Sequence, residues 1–206
     1  YSPLSTSPHY HETLSNAHTV YNPEQAITLL ELAGYTERDV NGYFVWPGTR
    51  YPNHEPIMFF LDTPIKYNTA SGNAIELIVS DLGSIGIRAV YRPIEQSIYE
   101  ERRNANEIDA TWLSSDSAAN FGFSTSVFTG TDIYYPWCPA WTLWRNSKGT
   151  DPNGEAPPEG HWIYTIWSRW EQIERERDPA HRDLLFRQIL DIWAEELPMI
   201  GYLGPA

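Results

Sequence analysis

Acidic and aromatic side chains between Trp112 and Trp144 are the best candidates in this sequence for contact with a small molecule. Two carboxylates, such as Asp116 with Asp132 or with the earlier Glu95, would suit the acid and the base or nucleophile of a glycoside hydrolase. Distance along the chain does not fix the distance between two carboxyl groups, so the pattern indicates such an enzyme only weakly. Aromatic faces beside a few polar side chains are typical of a ligand cleft, and binding needs no catalytic group.

The sequence lacks the motifs that identify common catalytic and cofactor sites. It contains no Gly-x-Ser-x-Gly elbow, no His-Glu-x-x-His, no Walker loop and no dinucleotide fingerprint. Cys138 is the single cysteine, so neither an intramolecular disulfide nor a zinc site built from several cysteines can form. His9, His11 and His18 have no partner at a recognised ligand spacing, and we interpret them as loop histidines. We therefore predict a binding protein without enzymatic activity, metal ion or cofactor.

A short strand expected at residues 109–113 would carry the chain into the candidate cleft. In α/β sheets, ligands bind in the loops that follow the carboxyl ends of parallel strands. Trp112 would lie at the end of that strand, and the segment from residue 114 to residue 123 would enter the cleft. We therefore predict that Trp112, Ser114, Ser115, Asp116 and Phe121 contact the ligand.

Trp137, Trp141 and Trp144 complete the candidate ligand-binding residues. With Tyr134 and Tyr135 they make five large aromatic residues within residues 134–144, and the three tryptophans have helical spacing. Pro136 and Pro139 are expected to interrupt a helix, so some of the rings should line a groove instead of forming one buried stripe. Core packing and ligand contact both remain open for these rings, because a buried indole usually needs a partner for its N–H.

Residues 73–116 predict a helix, a strand, a second helix and a second strand. Apolar residues recur at three- and four-residue intervals from Ala74 to Ile85, and Gly86 is placed to end that helix in a left-handed turn. A helix that returns the chain to a parallel neighbour is the unit of an α/β sheet. We predict an α/β fold with a mainly parallel sheet, its strands at residues 57–61, 89–94 and 109–113, flanked by helices around residues 74–82 and 97–104.

Capping residues predict another helix nearer the start of the chain. Asn22 can cap it, Pro23 fits the first helical position and Gly34 can end it. We expect a buried face of Ala26, Ile27, Leu30 and Ala33 on that helix. Two segments should lack regular structure: an extended lead-in at residues 1–20 and an irregular cleft and flap segment at residues 114–160. Helices are expected at residues 162–176 and from Pro179 onward, followed by a final strand at residues 199–203.

Over about residues 21–201, the spacing of several short motifs resembles that of the dipeptide/oligopeptide-type (family 5) solute-binding proteins of ABC importers. The motifs are Asn22-Pro23-Glu24-Gln25-Ala26, Leu29-Leu30, Ala33-Gly34-Tyr35, Ile85-Gly86-Ile87, Glu95, Trp112 with Asp116, and Glu195-Glu196-Leu197-Pro198-Met199-Ile200. The resemblance implies a periplasmic-binding-protein-like lobe. It further implies that residues 1–206 are a single lobe, the C-terminal one of a longer two-lobe receptor.

A receptor of this family captures a small solute between two lobes and presents it to an importer. The resemblance therefore implies three partners: a small solute, the N-terminal lobe of the same full-length protein and the membrane permease. It implies a periplasmic or extracellular location, with membrane association if the parent is a lipoprotein. In peptide-binding relatives an Asp shortly after the strand-terminal Trp holds the ammonium group of the ligand, which assigns that role to Asp116, with Trp112 beside it.

The chain departs from the peptide-binding pattern around Asp116. This residue lies four positions after Trp112, where the peptide binders usually have three. The Asp-Pro or Glu-Pro that commonly follows is replaced by Ser117-Ala118-Ala119-Asn120. Because Trp and Tyr rings also stack well on sugar faces, an oligosaccharide is an alternative solute to a peptide.

The charge balance excludes several classes of partner. The chain has 206 residues with 14 basic and 27 acidic side chains, a net charge of −13, so nucleic acid and anionic membrane surfaces are poor partners. No apolar run approaches the ~20 residues needed to cross a bilayer. The first residues lack the basic start and apolar stretch of a signal peptide, and we expect a fragment of a longer protein.

Overall fold

A computed structural model describes residues 3, 5, 7, 9–48, 55–112, 125–133 and 137–201. The chain divides into two compact units. We call Val20–Arg103 with Glu107–Leu113 the sheet unit. We call Tyr1–Thr19, Asn104–Asn106 and Ser114–Ala206 the helical unit. That residues 1–206 form one lobe of a receptor stays a prediction.

The sheet unit contains the predicted parallel crossover. Strand β1 (Met58–Thr63) leads through helix α3 (Ala70–Ser84) to strand β2 (Arg88–Pro93), which pairs with β1 in parallel. The hydroxyl of Thr69 caps α3 by accepting a hydrogen bond from the amide of Gly72, at 3.0 Å. Gly86 follows α3 with φ of +93°, the left-handed turn that glycine favours, as predicted.

The predicted third strand at residues 109–113 is represented by a parallel bridge between Ala110 and Leu61. The amide of Asp62 donates to the carbonyl of Ala110 at 3.0 Å, and the amide of Ala110 donates to the carbonyl of Phe60 at 3.2 Å. The carbonyls of Ile57 and Thr63 instead accept hydrogen bonds from amides on the β2 side of the strand. Since successive residues point their backbone groups to opposite sides, β1 lies centrally between β2 and Ala110.

The two faces of this sheet differ in polarity. Leu61 and Tyr91 point to the face covered by α3, where they form a buried core with Ile75. The opposite face carries Asp62 and Arg92, which are linked by hydrogen bonds, and receives Arg102 from helix α4 (Gln96–Asn104). The sheet therefore has helices associated with both faces, as in other α/β folds.

Helix α2 (Pro23–Leu32) begins and ends as predicted. The side chain of Asn22 accepts from the amide of Gln25 at 3.0 Å, and Gly34 follows the helix with φ of +99°. The predicted buried face is wrong in degree, because no residue of α2 is fully buried. Ala26, Ile27 and Leu30 are half-buried and Ala33 is exposed, while Leu29 and Leu32 of the same helix are 52% and 80% exposed.

The helical unit packs five helices of the described chain around one apolar core. They are α1 (Glu12–Asn16), α5 (Thr125–Thr129), α6 (Pro139–Ser147), α7 (Ile163–Arg175) and α8 (Pro179–Glu196). The predicted helices at residues 162–176 and from Pro179 are α7 and α8, and the side chain of Asp178 caps α8. Core residues include Leu14, Phe128, Ile163, Ile166, Leu185, Ile189, Leu190 and Trp193.

Several expectations for this unit need correction. The lead-in at residues 1–20 contains α1, because Leu14 is buried against the core and the chain must fold locally to place it there. The segment at residues 114–160 contains α5 and α6. Pro139 occupies the first turn of α6 instead of interrupting a helix, since that position needs no backbone N–H. Residues 199–201, the described part of the expected final strand, are not in a strand.

Candidate functional site

Trp112 lies at the carboxyl edge of the sheet, as expected. The hydroxyl of Thr63, the last residue of β1, donates to the carbonyl of Trp112 at 3.3 Å. The Trp112 side chain is half-buried and packs against the core of Leu61, Ile75 and Tyr91. Trp112 therefore lies at the edge of the sheet at which α/β folds place ligands.

Four of the predicted ligand-binding residues follow that point. Ser114, Ser115, Asp116 and Phe121 lie outside the residues that the structure describes. Their assignment as ligand-binding residues stays a prediction.

A charged cluster near the same edge was not predicted from the sequence. The carboxylate of Asp62 is fully buried and accepts two hydrogen bonds from Arg92, from Nε at 2.6 Å and from Nη2 at 2.7 Å. Arg102 donates to the same carboxylate at 2.5 Å. Hydrogen bonding to Asp62 raises the pKa of Arg92. The one sequence clue is an acidic residue at the end of the otherwise apolar strand Phe59-Phe60-Leu61, which requires a partner when buried.

This cluster is structural in character. Arg92 also lies over the ring of Phe60, with its guanidinium carbon 3.7 Å from the ring centroid. Arg102 donates a further hydrogen bond to the carbonyl of Glu107 at 2.8 Å. The two arginines thus tie β1, β2, α4 and the segment before Ala110 to one carboxylate, and they hold the carboxyl edge of the sheet in shape.

The three predicted tryptophans of the helical unit pack against its apolar core, in two separate groups of contacting rings. Trp141 and Trp144 lie on α6, and Trp137 precedes that helix. Trp137 stacks on Trp162, with ring centroids 5.8 Å apart, and Trp144 stacks on Trp167 at 6.4 Å. The ring of His161 lies between those of Trp141 and Trp162, with centroid distances of 4.6 Å and 4.5 Å.

Trp162 and His161 were not among the predicted site residues. They form an adjacent pair directly after the Pro- and Gly-rich turn and before α7. Such a position fixes side chains at the rim of a helix bundle, and it is the signal that the sequence offered.

Three tryptophans of this unit use their indole N–H groups to complete the end of α5. Trp137 donates to the carbonyl of Val127 at 2.7 Å, Trp193 donates to that of Phe128 at 2.9 Å, and Trp167 donates to that of Thr129 at 3.1 Å. The last carbonyls of a helix have no partner within the helix. These three rings are therefore primarily structural. For Trp137, the hydrogen bond favours packing over ligand contact as the role of the indole.

Trp141 and Trp162 differ from those three rings. Both are half-buried, and among the described residues neither indole N–H has a hydrogen-bond partner. Neither nitrogen is among the buried unsatisfied atoms, so both reach solvent. Nδ1 of His161 accepts from the amide of Ile163 at 3.2 Å, which in a neutral ring leaves the proton on Nε2. Nε2 of His161 and the indole nitrogens of Trp141 and Trp162 are therefore N–H donors without a hydrogen-bond partner among the described residues.

Other reactive groups of the described chain do not form a second site. Burial raises the pKa of the Cys138 thiol to about 12, and the thiol is close to the hydroxyl of Thr142 at 3.5 Å. No group of three or more His, Cys, Asp or Glu side chains in the described ranges is arranged to hold a metal ion. Within the same ranges, no helix combines the length and apolarity required to span a bilayer.

Comparison with known protein families gives one match. A model described as bacterial extracellular solute-binding proteins, family 5 middle, matches residues 1–135. Comparison with curated protein sequences gives no significant match.

Solved structures of similar architecture include three receptors. The oligopeptide-binding protein OppA is 24% identical, with a TM-score of 0.77 over 97% of this chain and 32% of OppA. The periplasmic binding protein MelB from Agrobacterium fabrum, in complex with stachyose, is 17% identical, with a TM-score of 0.70 over 98% of this chain and 28% of MelB. AppA from Bacillus subtilis, in complex with a nonapeptide, is 17% identical, with a TM-score of 0.59 over 86% of this chain and 30% of AppA. The chain spans about a third of the length of these relatives, and the likeness confirms the periplasmic-binding-protein-like fold.

Proposed function

Because the chain belongs to the bacterial extracellular solute-binding proteins of family 5, we propose that it is the ligand-binding lobe of a receptor that delivers a peptide or similar small solute to an ABC importer. The observation that carries this proposal is the family match over residues 1–135, which include the whole sheet unit. The parallel crossover from β1 to β2 supports it, because such sheets bind ligands at their carboxyl edge.

The proposed roles of individual residues follow from the position of Trp112 at the carboxyl edge of the sheet. The ammonium group of a peptide would pair with Asp116, and Trp112 would pack beside it. The backbone of Trp112 is tied to Thr63 at the end of β1, which supports the position of the segment that carries Asp116. Ser114, Ser115 and Phe121 would complete the contacts on this side of the solute.

The remaining partners are the N-terminal lobe of the same full-length protein and the membrane permease of the importer. The location is periplasmic or extracellular, with a lipid anchor if the parent is a lipoprotein. Capture and delivery of a solute require no bond to be made or broken, so we propose no enzymatic activity and no cofactor.

An oligosaccharide is the second candidate solute, and one observation favours it. The cluster of Trp137, Trp141, Trp162 and His161 brings aromatic rings together with indole N–H groups that reach solvent. The similarity of this chain to MelB, which is in complex with stachyose, agrees with this candidate.

Replacement of Asp116 by Asn tests the proposal and distinguishes the two solutes. The variant keeps the shape of the side chain and removes its charge. A peptide with a free ammonium group should lose on the order of 2–5 kcal/mol of binding free energy, the loss typical when one member of a buried charge pair is removed. A neutral sugar should lose nearer ~1 kcal/mol, the contribution of one hydrogen bond.

Calorimetry on the full-length receptor, with the solute identified by mass spectrometry after purification, measures both values. Asp81→Asn is a matched control, because Asp81 is exposed on α3, far along the chain from the edge residues. Unchanged affinity in Asp116→Asn would place the site elsewhere. Absence of any bound or bindable solute would contradict the receptor function itself.

A further inference from the structure

Four aromatic rings of the helical unit form a continuous series that ends at Trp141. Trp162 is contacted by Trp137 at 5.8 Å and by His161 at 4.5 Å. His161 in turn contacts Trp141, at 4.6 Å and an interplanar angle of 63°. Among the described residues, no ring other than His161 contacts Trp141, although its side chain is half-buried. Trp141 is therefore the terminal ring of the series and retains solvent-accessible surface.

Contacts with the helical unit anchor several members of this series. The indole of Trp137 is bonded to the carbonyl of Val127, and its ring also contacts Trp193 at 5.6 Å. Trp141 is carried by α6, whose buried Thr142 donates to the carbonyl of Gly130 at 2.8 Å. Nδ1 of His161 is fixed by the amide of Ile163. Such anchoring favours the binding of a rigid ligand, because less conformational entropy is lost when the protein groups are already positioned.

Three N–H donors accompany these rings. The indole N–H groups of Trp141 and Trp162 have no partner in the described chain, and His161 carries its proton on Nε2 when neutral. Because both indole nitrogens reach solvent and lie on either side of His161, they are free to donate to oxygen atoms of a bound molecule. No charged side chain of the described residues is hydrogen-bonded to these three groups. The described part of this surface thus offers ring faces and neutral N–H donors, which suit a neutral ligand better than the charged termini of a peptide.

We propose that the surface formed by Trp141, His161 and Trp162 binds a pyranose ring of a neutral oligosaccharide. The apolar C–H face of the sugar packs on Trp141, and its hydroxyl or ring oxygens accept hydrogen bonds from the indole N–H groups and from Nε2 of His161. The inference rests on the proposed receptor function and selects among its solute classes. It adds His161 and Trp162 to the residues that contact the solute and removes Trp144, whose ring is engaged with Trp167 and Tyr164.

The test uses the full-length receptor and two panels of probes. One panel contains neutral di- to tetrasaccharides built from glucose, galactose, mannose or xylose, and the other contains alanine-based peptides of matched length. Binding is measured by calorimetry for the wild type, Trp141→Ala and Trp141→Phe. At least one saccharide should bind, Trp141→Ala should weaken it about tenfold or more, and Trp141→Phe should weaken it less, because a stacking face remains.

Indole N–H signals in ¹⁵N-labelled protein provide a readout that a purely structural role would not move. The signals of Trp141 and Trp162 should shift on addition of the saccharide. Those of Trp167 and Trp193 should stay in place, because their protons are bonded to carbonyls inside the core. Trp170→Ala is the matched control, since Trp170 is another half-buried tryptophan of the same unit that lies outside the series. Its saccharide affinity should equal that of the wild type.

Two results would overturn the inference while leaving the receptor function intact: binding of peptides alone, or saccharide binding that Trp141→Ala leaves unchanged. If neither panel binds, the inference fails, and mass spectrometry of the solute that co-purifies with the receptor decides whether the receptor function fails with it. Thermal unfolding of each variant shows whether a loss of affinity reflects a loss of fold.

Discussion

Asp62 shows how one residue can organise an edge of the sheet. Its carboxylate is fully buried next to the end of β1, and it accepts hydrogen bonds from both Arg92 and Arg102. An isolated buried carboxylate would be strongly destabilising, and two guanidinium groups compensate for its lost hydration. The consequence is a rigid link between strands whose carboxyl ends lead to the candidate ligand edge.

Replacing Asp62 with Asn should destabilise the protein by about 3 kcal/mol, the lower end of the range for breaking a buried ion pair. The lower end is expected because Arg92 and Arg102 are 36% and 28% exposed and can regain water. Urea denaturation measures the change in the free energy of unfolding. The exposed control Asp81→Asn should change it by less than about 0.5 kcal/mol. An equal loss in both variants would contradict a special role for Asp62.

Cys138 should be unreactive in the folded protein. Burial raises the pKa of its thiol to about 12, so the nucleophilic thiolate is scarce at pH 8. Reaction with a chromogenic disulfide reagent at pH 8 should therefore be slow in the native state and complete in urea. Rapid reaction without denaturant would contradict the burial of this residue.

The same thiol should make the free energy of unfolding depend on pH. The unfolded thiol loses its proton above a pKa of about 8.5, while the folded thiol keeps it, so stability falls as the pH rises above that value. Between pH 8 and pH 10 the wild type should lose about 2 kcal/mol more than Cys138→Ala. Urea denaturation of both proteins at the two pH values measures the difference, and equal losses would contradict the raised pKa.

At the scale of elements, α5 depends on its neighbours for its existence. It is a helix of five residues, too short to be stable alone. Indole N–H groups from the segment before α6, from α7 and from α8 satisfy its last carbonyls. Trp137, α7 and α8 thereby fix the position of α5, which follows the predicted cleft segment in the chain.

Trp193→Phe should destabilise the protein by about 1–3 kcal/mol, because it removes the buried indole N–H that donates to the carbonyl of Phe128. Trp193 is fully buried, so solvent cannot replace the lost hydrogen bond. Trp170→Phe is the matched control, and its smaller expected effect reflects its half-buried position. Thermal or urea unfolding compares the two, and similar losses would show that the hydrogen bond contributes little.

Helix α2 offers a test of local capping in the sheet unit. Asn22→Ala removes the acceptor of the Gln25 amide and should cost about 1 kcal/mol of helix stability. Hydrogen exchange of the amides in the first turn of α2 should accelerate accordingly. Asn22→Ser restores an acceptor and should restore most of the protection. Unchanged exchange in Asn22→Ala would show that another group satisfies the amide.

For the whole molecule, the two units have separate apolar cores. The core around Trp193 contains residues of the helical unit, and the core of Leu61, Ile75 and Tyr91 belongs to the sheet unit. We therefore expect Trp193→Phe to accelerate hydrogen exchange chiefly in the helical unit and Asp62→Asn chiefly in the sheet unit. Mass-spectrometric hydrogen exchange on the two variants measures this, and uniform acceleration throughout the chain would indicate a single cooperative unit.

Local chemistry in the sequence determined the elements with clear periodicity and caps. Asn22, Pro23 and Gly34 define α2, the apolar spacing and Gly86 define α3, and Asp178 with Pro179 begins α8. Alternation of strand and helix patterns was sufficient for the parallel α/β arrangement, because a crossover helix almost always connects parallel neighbours. The spacing of these motifs also sufficed for the family, which the match over residues 1–135 confirms.

Contacts between distant residues were decided only by the tertiary structure. Leu14 is separated from α8 by most of the chain, so the burial of Leu14, and with it helix α1, could not be predicted from the lead-in sequence. The partners of Asp62 lie 30 and 40 residues away, and the carbonyl that each tryptophan bonds is fixed by packing. The sequence showed that aromatic residues lie close together along the chain. Folding determined which indole N–H groups are hydrogen-bonded inside the core, and that those of Trp141 and Trp162 reach solvent. A hydrogen bond depends on distance and angle in space, and sequence spacing specifies these only within a single helix or turn.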